Sequence, residues 1–416
     1  MSSNHAIFIH NQEEAKKFLA EIDIDPRAFA YMVPKAVFHC IKLKHIQCRA
    51  ANIIKQEMLS KGGEAAVKKD TLLGQGHTDV LLMGTLKHYR LLIKKLKVQP
   101  LGLRELADEI QAILNNLEPA RQTMQLANGG TLEFGQKTLV MGILNVTPDS
   151  FSDGGKFYDK EIAIKHALEM LEQGADIIDI GGASSRPDSE MADEAEEIRR
   201  VLPVVERLAR EKTIISIDTF RAGVARACLE KGAHIINDIG RLQLDPDLLG
   251  VLVKHQAPVI LMHNRMQFRA GEPYNDLVAD ICEELEESIE QAVKAGLSAD
   301  KIIIDPGVGF GKTPEENLAI INRLREFRSL GKPVLLGVSR KSFIGKTLGL
   351  EVDERLEASL AAAVMGIING ADIVRVHDVT ATKRAALITD AALRAEDKIM
   401  ADGCQENRPL DTGVES

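Results

Sequence analysis

Eight short apolar stretches in the 416-residue chain end in residues equipped for chemistry. The first ends at Asn145. The second contains Asp179 and runs into Gly181-Gly182. The third and fourth end at Asp218-Thr219 and Asn237-Asp238. The fifth ends at Met262-His263-Asn264-Arg265 and the sixth at Asp305-Pro306-Gly307. The last two end at Ser339-Arg340-Lys341-Ser342 and Arg375-Val376-His377-Asp378. One Asp at a strand end is more often a helix N-cap than a ligand contact. Polar or ionisable residues at all eight ends require another explanation. Asp218, Asn237, Asp305 and Lys341 offer the acceptors and donors that a flat heterocycle with an amidine-like edge, such as a pterin, needs. Asn145, Arg375 and His377 suit an anion: Arg gives paired contacts to oxygen, His can donate from either nitrogen, and Asn supplies a neutral oxygen to Mg2+.

The elements that carry these residues follow from the spacing. Apolar, β-branched runs recur at 138–144, 175–180, 213–218, 234–237, 257–262, 301–305, 333–338 and 372–376, separated by helical stretches rich in Ala, Leu, Glu and Lys. Eight strand–helix units over about 260 residues predict a (β/α)8 barrel, whose loops assemble the site on the C-terminal face of the strands. Near-continuous apolar strands fit a parallel sheet buried on both faces, and a doubly wound open sheet is the rival. The Gly-rich stretch 307–311 permits close backbone approach, and Phe310 in it can form an apolar wall. It is not a nucleotide P-loop, because counting from Gly307 puts Thr313 where the pattern needs Lys.

The fold class is therefore α/β, with a small α/β domain at 1–125 preceding the barrel. Residues 126–136 form a connector with a possible hairpin at Asn128-Gly129-Gly130, the barrel spans 137–398, and 399–416 read as a disordered tail. Residues 1–125 carry a net charge of +5 and the remainder −14. No zinc-knuckle spacing, no RNA-binding aromatic motif and no Trp support nucleic-acid binding. Five scattered cysteines, without CxxC spacing, read as reduced thiols of a cytoplasmic protein. No signal peptide or membrane span is expected, since no apolar run reaches about 18 residues. No HxxxH zinc pair and no nucleophile elbow occur. His263 reads equally well as a pocket-wall hydrogen bonder or a general base.

The strings MGILNVTPDSFSDGG (141–155), ADIIDIGGASSRP (175–187), ISIDTF (215–220), HIINDIG (234–240), ILMHNR (260–265), IDPGVGFGKT (304–313), GVSRKSFIG (337–345) and RVHDV (375–379) resemble those of the dihydropteroate synthase family. The resemblance covers the barrel and not the first 125 residues, which resemble an extra domain carried by some bacterial members. It implies a cytoplasmic, homodimeric, Mg2+-using transferase of folate biosynthesis. Such an enzyme couples 6-hydroxymethyl-7,8-dihydropterin diphosphate to 4-aminobenzoate and releases diphosphate.

By the same resemblance Asp218, Asn237, Asp305 and Lys341 hold the pterin, with Met262 beside them. Asn145, Arg375 and His377 hold the diphosphate, and Asn145 also holds the metal. Asp218 and Lys341 are the implied catalytic pair, joined by Asp153 and Arg186 of the first two loops, which order the closed site. Ser185, Pro187, Phe310 and Ser342 match the 4-aminobenzoate pocket. The second loop departs from the family's Thr-Arg-Pro-Gly, reading Ser185-Arg186-Pro187-Asp188, which bears on affinity for the amine. Two other readings remain: a folate-dependent methyltransferase, whose barrel would not need the diphosphate group, and a degenerate barrel serving as a binding scaffold.

Overall fold

The computed structural model describes residues 3–118, 121–147, 156–183, 193–266 and 269–395. The expected sites Asp153, Ser185, Arg186 and Pro187, and the tail 399–416, lie outside them. The chain divides into two compact units, Met1–Ala120 and Arg121–Ser416.

In the first unit α1 (Gln12–Glu21) and α2 (Phe29–Ala36) precede β1 (Phe38–Gln47), α3 (Cys48–Ser60), β2 (Glu64–Val67), β3 (His77–Thr85), α4 (Leu86–Leu96) and α5 (Leu103–Leu117). The antiparallel sheet has the order β1-β3-β2. Its alternate residues Ile41, Leu43, Val80 and Leu82 face a core shared with Ile54 and Met58 of α3 and Leu92 and Ile110 of α4 and α5. This period-2 alternation against period-3.6 helices gives the unit its own core.

The second unit opens with a hairpin, β4 (Gln122–Gln125) and β5 (Thr131–Phe134). Residues 121–125, read from sequence as the end of the first domain, thus belong to this hairpin. The barrel strands are β6 (Leu139–Asn145), β7 (Ile177–Gly181), β8 (Ile214–Asp218), β9 (Ile235–Asp238), β10 (Val259–Met262), β11 (Ile302–Asp305), β12 (Leu335–Gly337) and β13 (Ile373–Val376). Interleaved with them are α6 (Lys156–Glu172), α7 (Glu194–Leu208), α8 (Ala222–Leu229), α9 (Leu248–His255), α10 (Leu277–Lys294), α11 (Pro314–Asn322), α12 (Ser342–Leu348), α13 (Leu356–Ile368) and α14 (Val379–Leu393). All eight strands pair in parallel in one sheet, and the bridge from Ile304 to Val334 closes it into a barrel. The expected (β/α)8 fold is what forms.

Strand alternation sorts the side chains into two sets. Ile178, Ile180, Ile215, Ile217, Ile236, Leu261, Ile304, Leu336 and Val374 point outward into the core beneath the helices. Leu139, Met141, Ile177, Ile235, Ile260, Ile303, Leu335 and Ile373 point inward and form an apolar floor. The hairpin seals that floor with Met124, Leu126, Leu132 and Phe134. One inward step further along four of the strands, the residue type changes. Above Ile177 stands Asp179, above Ile235 stands Asn237, above Ile303 stands Asp305, and above Ile373 stands Arg375. A side-chain period of two along the strand therefore sets a polar layer directly on a greasy one.

Candidate active site

Arg375 crosses the interior from β13 and links two carboxylates. Its Nε donates to Asp179 Oδ2 at 2.6 Å and its Nη2 to Asp218 Oδ2 at 2.7 Å. Asn237 Nδ2 donates to the same Asp179 oxygen at 3.0 Å. Sequence reading placed Arg375 with Asn145 and His377 in an anion group. The structure instead ties its guanidinium to the carboxylates of β7 and β8, because a side chain that long spans the narrow interior. Asn145 is close to the same place. A Cβ on Gly181 would lie 3.7 Å from Asn145 Oδ1 and 3.8 Å from Asp218 Oδ2, so the bare glycine leaves room where the two converge. His377 is exposed, its backbone N–H and its Nδ1 both meeting Ser339 Oγ, at 3.2 and 3.1 Å.

A second group gathers around the turn after β11. Lys341 donates from Nζ to Val308 O and lies over the Phe310 ring, 4.7 Å from its centroid. Asp305 Oδ1 accepts from the Gly307 N–H at 2.7 Å. Gly307 has φ +68°, and a Cβ there would stand 1.8 Å from His263 O, so only glycine makes this turn. Met262 is buried in the same interior, and Ser342 is exposed at the start of α12.

Burial dominates the electrostatics. It raises the pKa of Asp218 against the pull of Arg375, and the charges of Asp179, Glu197 and Asp238 push the same way. Burial raises Asp305 too, opposed by Lys341. It lowers Lys341 to about 8 in spite of Asp305. Carboxylic groups raised toward neutrality can donate as well as accept, which suits an edge bearing both N–H groups and ring nitrogens.

Sequence reasoning missed a buried network outside the mouth. His263, which reads from sequence equally as a pocket-wall hydrogen bonder or a general base, is fully buried and hydrogen-bonds through Nε2 to Glu284 Oε2 at 3.1 Å and through Nδ1 to Lys312 Nζ at 3.0 Å. Lys312 also donates to Gly307 O at 2.9 Å and Phe310 O at 3.1 Å, stapling the turn that carries Phe310. Glu284 lies on α10, and nothing in the local sequence marks it as a partner of the strand ends.

A closed parallel barrel with apolar floor and a layer of coupled carboxylates, amide, arginine and lysine at its C-terminal mouth defines a barrel enzyme for a polar, planar substrate. The sequence pattern of the pterin binding enzyme family matches residues 141–377. Dihydropteroate synthase of Bacillus subtilis is 51% identical over 263 residues, 63% of this chain and 91% of that protein. Dihydropteroate synthase of Xanthomonas albilineans, solved with 4-aminobenzoic acid, is 40% identical with a TM-score of 0.62, covering 66% of this chain and 99% of that one. A Halobacterium salinarum protein described as a probable bifunctional folylpolyglutamate synthase/dihydropteroate synthase is 38% identical over 392 residues. That alignment takes in 94% of this chain, and so much of its first unit, but only 47% of the archaeal protein. This chain belongs to the pterin-binding enzymes, and within them to the dihydropteroate synthase family.

Proposed function

We propose that the chain joins 6-hydroxymethyl-7,8-dihydropterin diphosphate to 4-aminobenzoate, giving 7,8-dihydropteroate and diphosphate. The observation that carries this reading is the coupled layer Asn237–Asp179–Arg375–Asp218 at the barrel mouth, with Asp305 and Lys341 in the same interior. Asp218, Asn237, Asp305 and Lys341 would grip the pterin edge, with Met262 against the ring. Arg375, Asn145 and His377 would receive the diphosphate, and Phe310 and Ser342, with Ser185 and Pro187 of the second loop, would flank the amine. Asp153 and Arg186 would complete the closed site.

The reaction needs little acid or base. The bond between the exocyclic methylene carbon and the diphosphate oxygen breaks, and the electron pair leaves on diphosphate. The pterin ring stabilises the methylene cation while Asp218 holds negative charge against it, a preorganised electrostatic effect. The aniline nitrogen then donates its pair to form the C–N bond and loses a proton. Arg375 neutralises the leaving group with donors that its two carboxylate contacts do not use.

Mg2+ belongs to the same proposal. Asn145 Oδ1 and the neighbouring Asp218 Oδ2 are hard oxygens, and this ion is commonly held by one or two protein oxygens plus substrate phosphates. Among the described residues no cluster of three His, Cys, Asp or Glu side chains forms a metal cage, so Asn145 and the substrate would carry it. Bound there, Mg2+ would offset charge on the departing diphosphate.

A homodimer is proposed on the mutually packed α13 and α14, which expose Met365, Ile368, Leu387 and Ile388. No described helix is long and apolar enough to cross a membrane, and a cytoplasmic setting is proposed with the rest. The test is diphosphate release by the purified full chain. Release should require both substrates and yield dihydropteroate, and absence of either product with both supplied would refute the reading.

A further inference from the structure

Asp179 links the polar layer but is given no contact with substrate in the scheme above. It is fully buried on β7, one inward step above Ile177 of the floor. Only one of its oxygens is bonded: Oδ2 takes the Asn237 amide and the Arg375 Nε–H, while Oδ1 is buried without a hydrogen-bond partner. Ser216, its register partner on β8, has an equally unpartnered buried Oγ. A carboxylate held by one edge is an expensive core residue, since an unsatisfied buried polar atom costs roughly 1–3 kcal/mol. Ile or Leu there would continue the floor and pack better.

We propose that Asp179 is a positioning residue that sets the pterin-facing Asn237 and the anion-facing Arg375 in one register through its single bonded oxygen. The inference rests on the proposed function. Its physical basis is a competition for Arg375. The guanidinium carries five N–H donors, and it now spends one on Asp179 and one on Asp218. Asp179 draws the Nε edge toward β7, so Asp218 engages only Nη2 and keeps Oδ1 for a ligand. Without Asp179 the arginine is free to turn onto Asp218 as a fork-to-fork pair, which would occupy both oxygens of the pterin carboxylate and the donors meant for diphosphate. Asn237 would lose its only side-chain anchor among the described residues.

The test uses the full chain with Asp179→Leu and Asp179→Asn. Leu keeps the branched heavy-atom shape but can neither accept nor donate, and Asn keeps an oxygen that both donors can reach. Binding is measured by calorimetry with two separate probes, 6-hydroxymethylpterin and inorganic diphosphate with Mg2+. The expected result is that Asp179→Leu folds with a lowered Tm, since Arg375 and Asn237 lose a buried partner, and binds both probes at least about tenfold more weakly, the loss of a hydrogen bond to a charged group at each half. Asp179→Asn should recover most of both affinities, and the KM for 4-aminobenzoate should change little in either variant. Weakening of only one probe, or equal losses in the Leu and Asn variants, would overturn the shared-register role. If Leu unfolds the protein, the Asn variant decides: it must then melt normally and hold both probes within about threefold, a difference smaller than one neutral hydrogen bond. Failure of the natural protein to bind either probe would overturn the proposed function first, and this inference with it.

Discussion

Replacing Glu284 by Gln should cost the barrel more stability than its single-atom change suggests. The carboxylate is 3% exposed and serves four cationic or potentially cationic groups. Oε1 accepts from Arg265 Nη2 at 2.6 Å and Nε at 2.8 Å, and from Arg269 Nη1 at 3.3 Å. Oε2 takes the His263 ring at 3.1 Å and lies 3.3 Å from Arg241 Nη1. The Lys312 ammonium donates to Nδ1 of His263, so the ring proton is on Nε2 and faces Glu284. An amide has one oxygen and one NH2, so whichever way Gln is turned, an NH2 confronts either a guanidinium or the His263 N–H. Buried donors are then left unpaired beside an uncompensated positive charge. Breaking a buried ion pair in this way costs about 3–5 kcal/mol. At about 2 °C per kcal/mol for a domain of this size, Tm should fall by roughly 6–10 °C. Differential scanning calorimetry of the natural protein and Glu284→Gln at neutral pH measures it. A shift of less than about 2 °C, equivalent to a surface pair, would refute the reasoning.

The same network should make the barrel acid-sensitive. Burial lowers His263 to about 4, while for Glu284 burial opposes the charge but the His263 and Arg265 hydrogen bonds prevail and hold it at about 2. Both folded values lie below the unfolded ones, so the unfolded chain binds more protons, and Tm should fall as pH drops from about 6.5 through 4 and on toward 2. His263→Gln should flatten the upper part of that profile, and an unchanged slope would count against the assignment. Asp218→Asn should lower kcat by at least about a hundredfold with Tm within a degree or two, the signature of lost electrostatic preorganisation; equal activity would sink its role. Lys341→Met should reduce kcat/KM by roughly ten- to a hundredfold, since it removes a half-buried cationic donor from the Asp305 side, and steady-state kinetics reads this directly. A chain beginning at Arg121 should fold and turn over, because relatives of barrel length stand alone. If it binds pterin diphosphate normally yet reacts more than about a hundredfold slower, about 2.7 kcal/mol in the barrier, the first unit takes part in the chemistry.

The strand ends are readable because the barrel imposes a local rule: a short apolar run, then, near its end, a residue that faces the mouth. Asp218, Asn237, Asp305 and Arg375 all obey it, and all four meet in the interior. Asp179 obeys it too, on the same inward parity as Gly181, but it lies inside its run, ahead of the glycines that mark the strand's end. Its parity with Ile177 was the available signal. The carboxylate partners of Arg375 are not legible in the sequence, because sequence gives a residue's position but not which way a long side chain lies when carboxylates compete for it. Glu284, Lys312 and His263 were opaque for another reason. Their contacts join α10, β10 and the turn after β11 across 20 to 50 positions, and no periodicity links such distances. The connector with its possible hairpin at Asn128-Gly129-Gly130 is legible and the hairpin forms, but its role is not, because its apolar face has meaning only against the floor it covers.

That hairpin also acts as an electrical insulator. Met124, Leu126, Leu132 and Phe134 close the N-terminal end of the barrel over the inward-facing Ile, Leu and Met of the strands, directly below Asp179 and Ser216. Water reaching that level would screen the charges above it, and the attraction between opposite charges weakens in proportion as the local dielectric rises. The raised pKa of Asp218, the lowered one of Lys341 and the grip of Arg375 on two carboxylates all depend on a dry underside. The residues from Arg121 to Thr138, before the first barrel strand, therefore help set the voltage at a mouth on the far side of the floor.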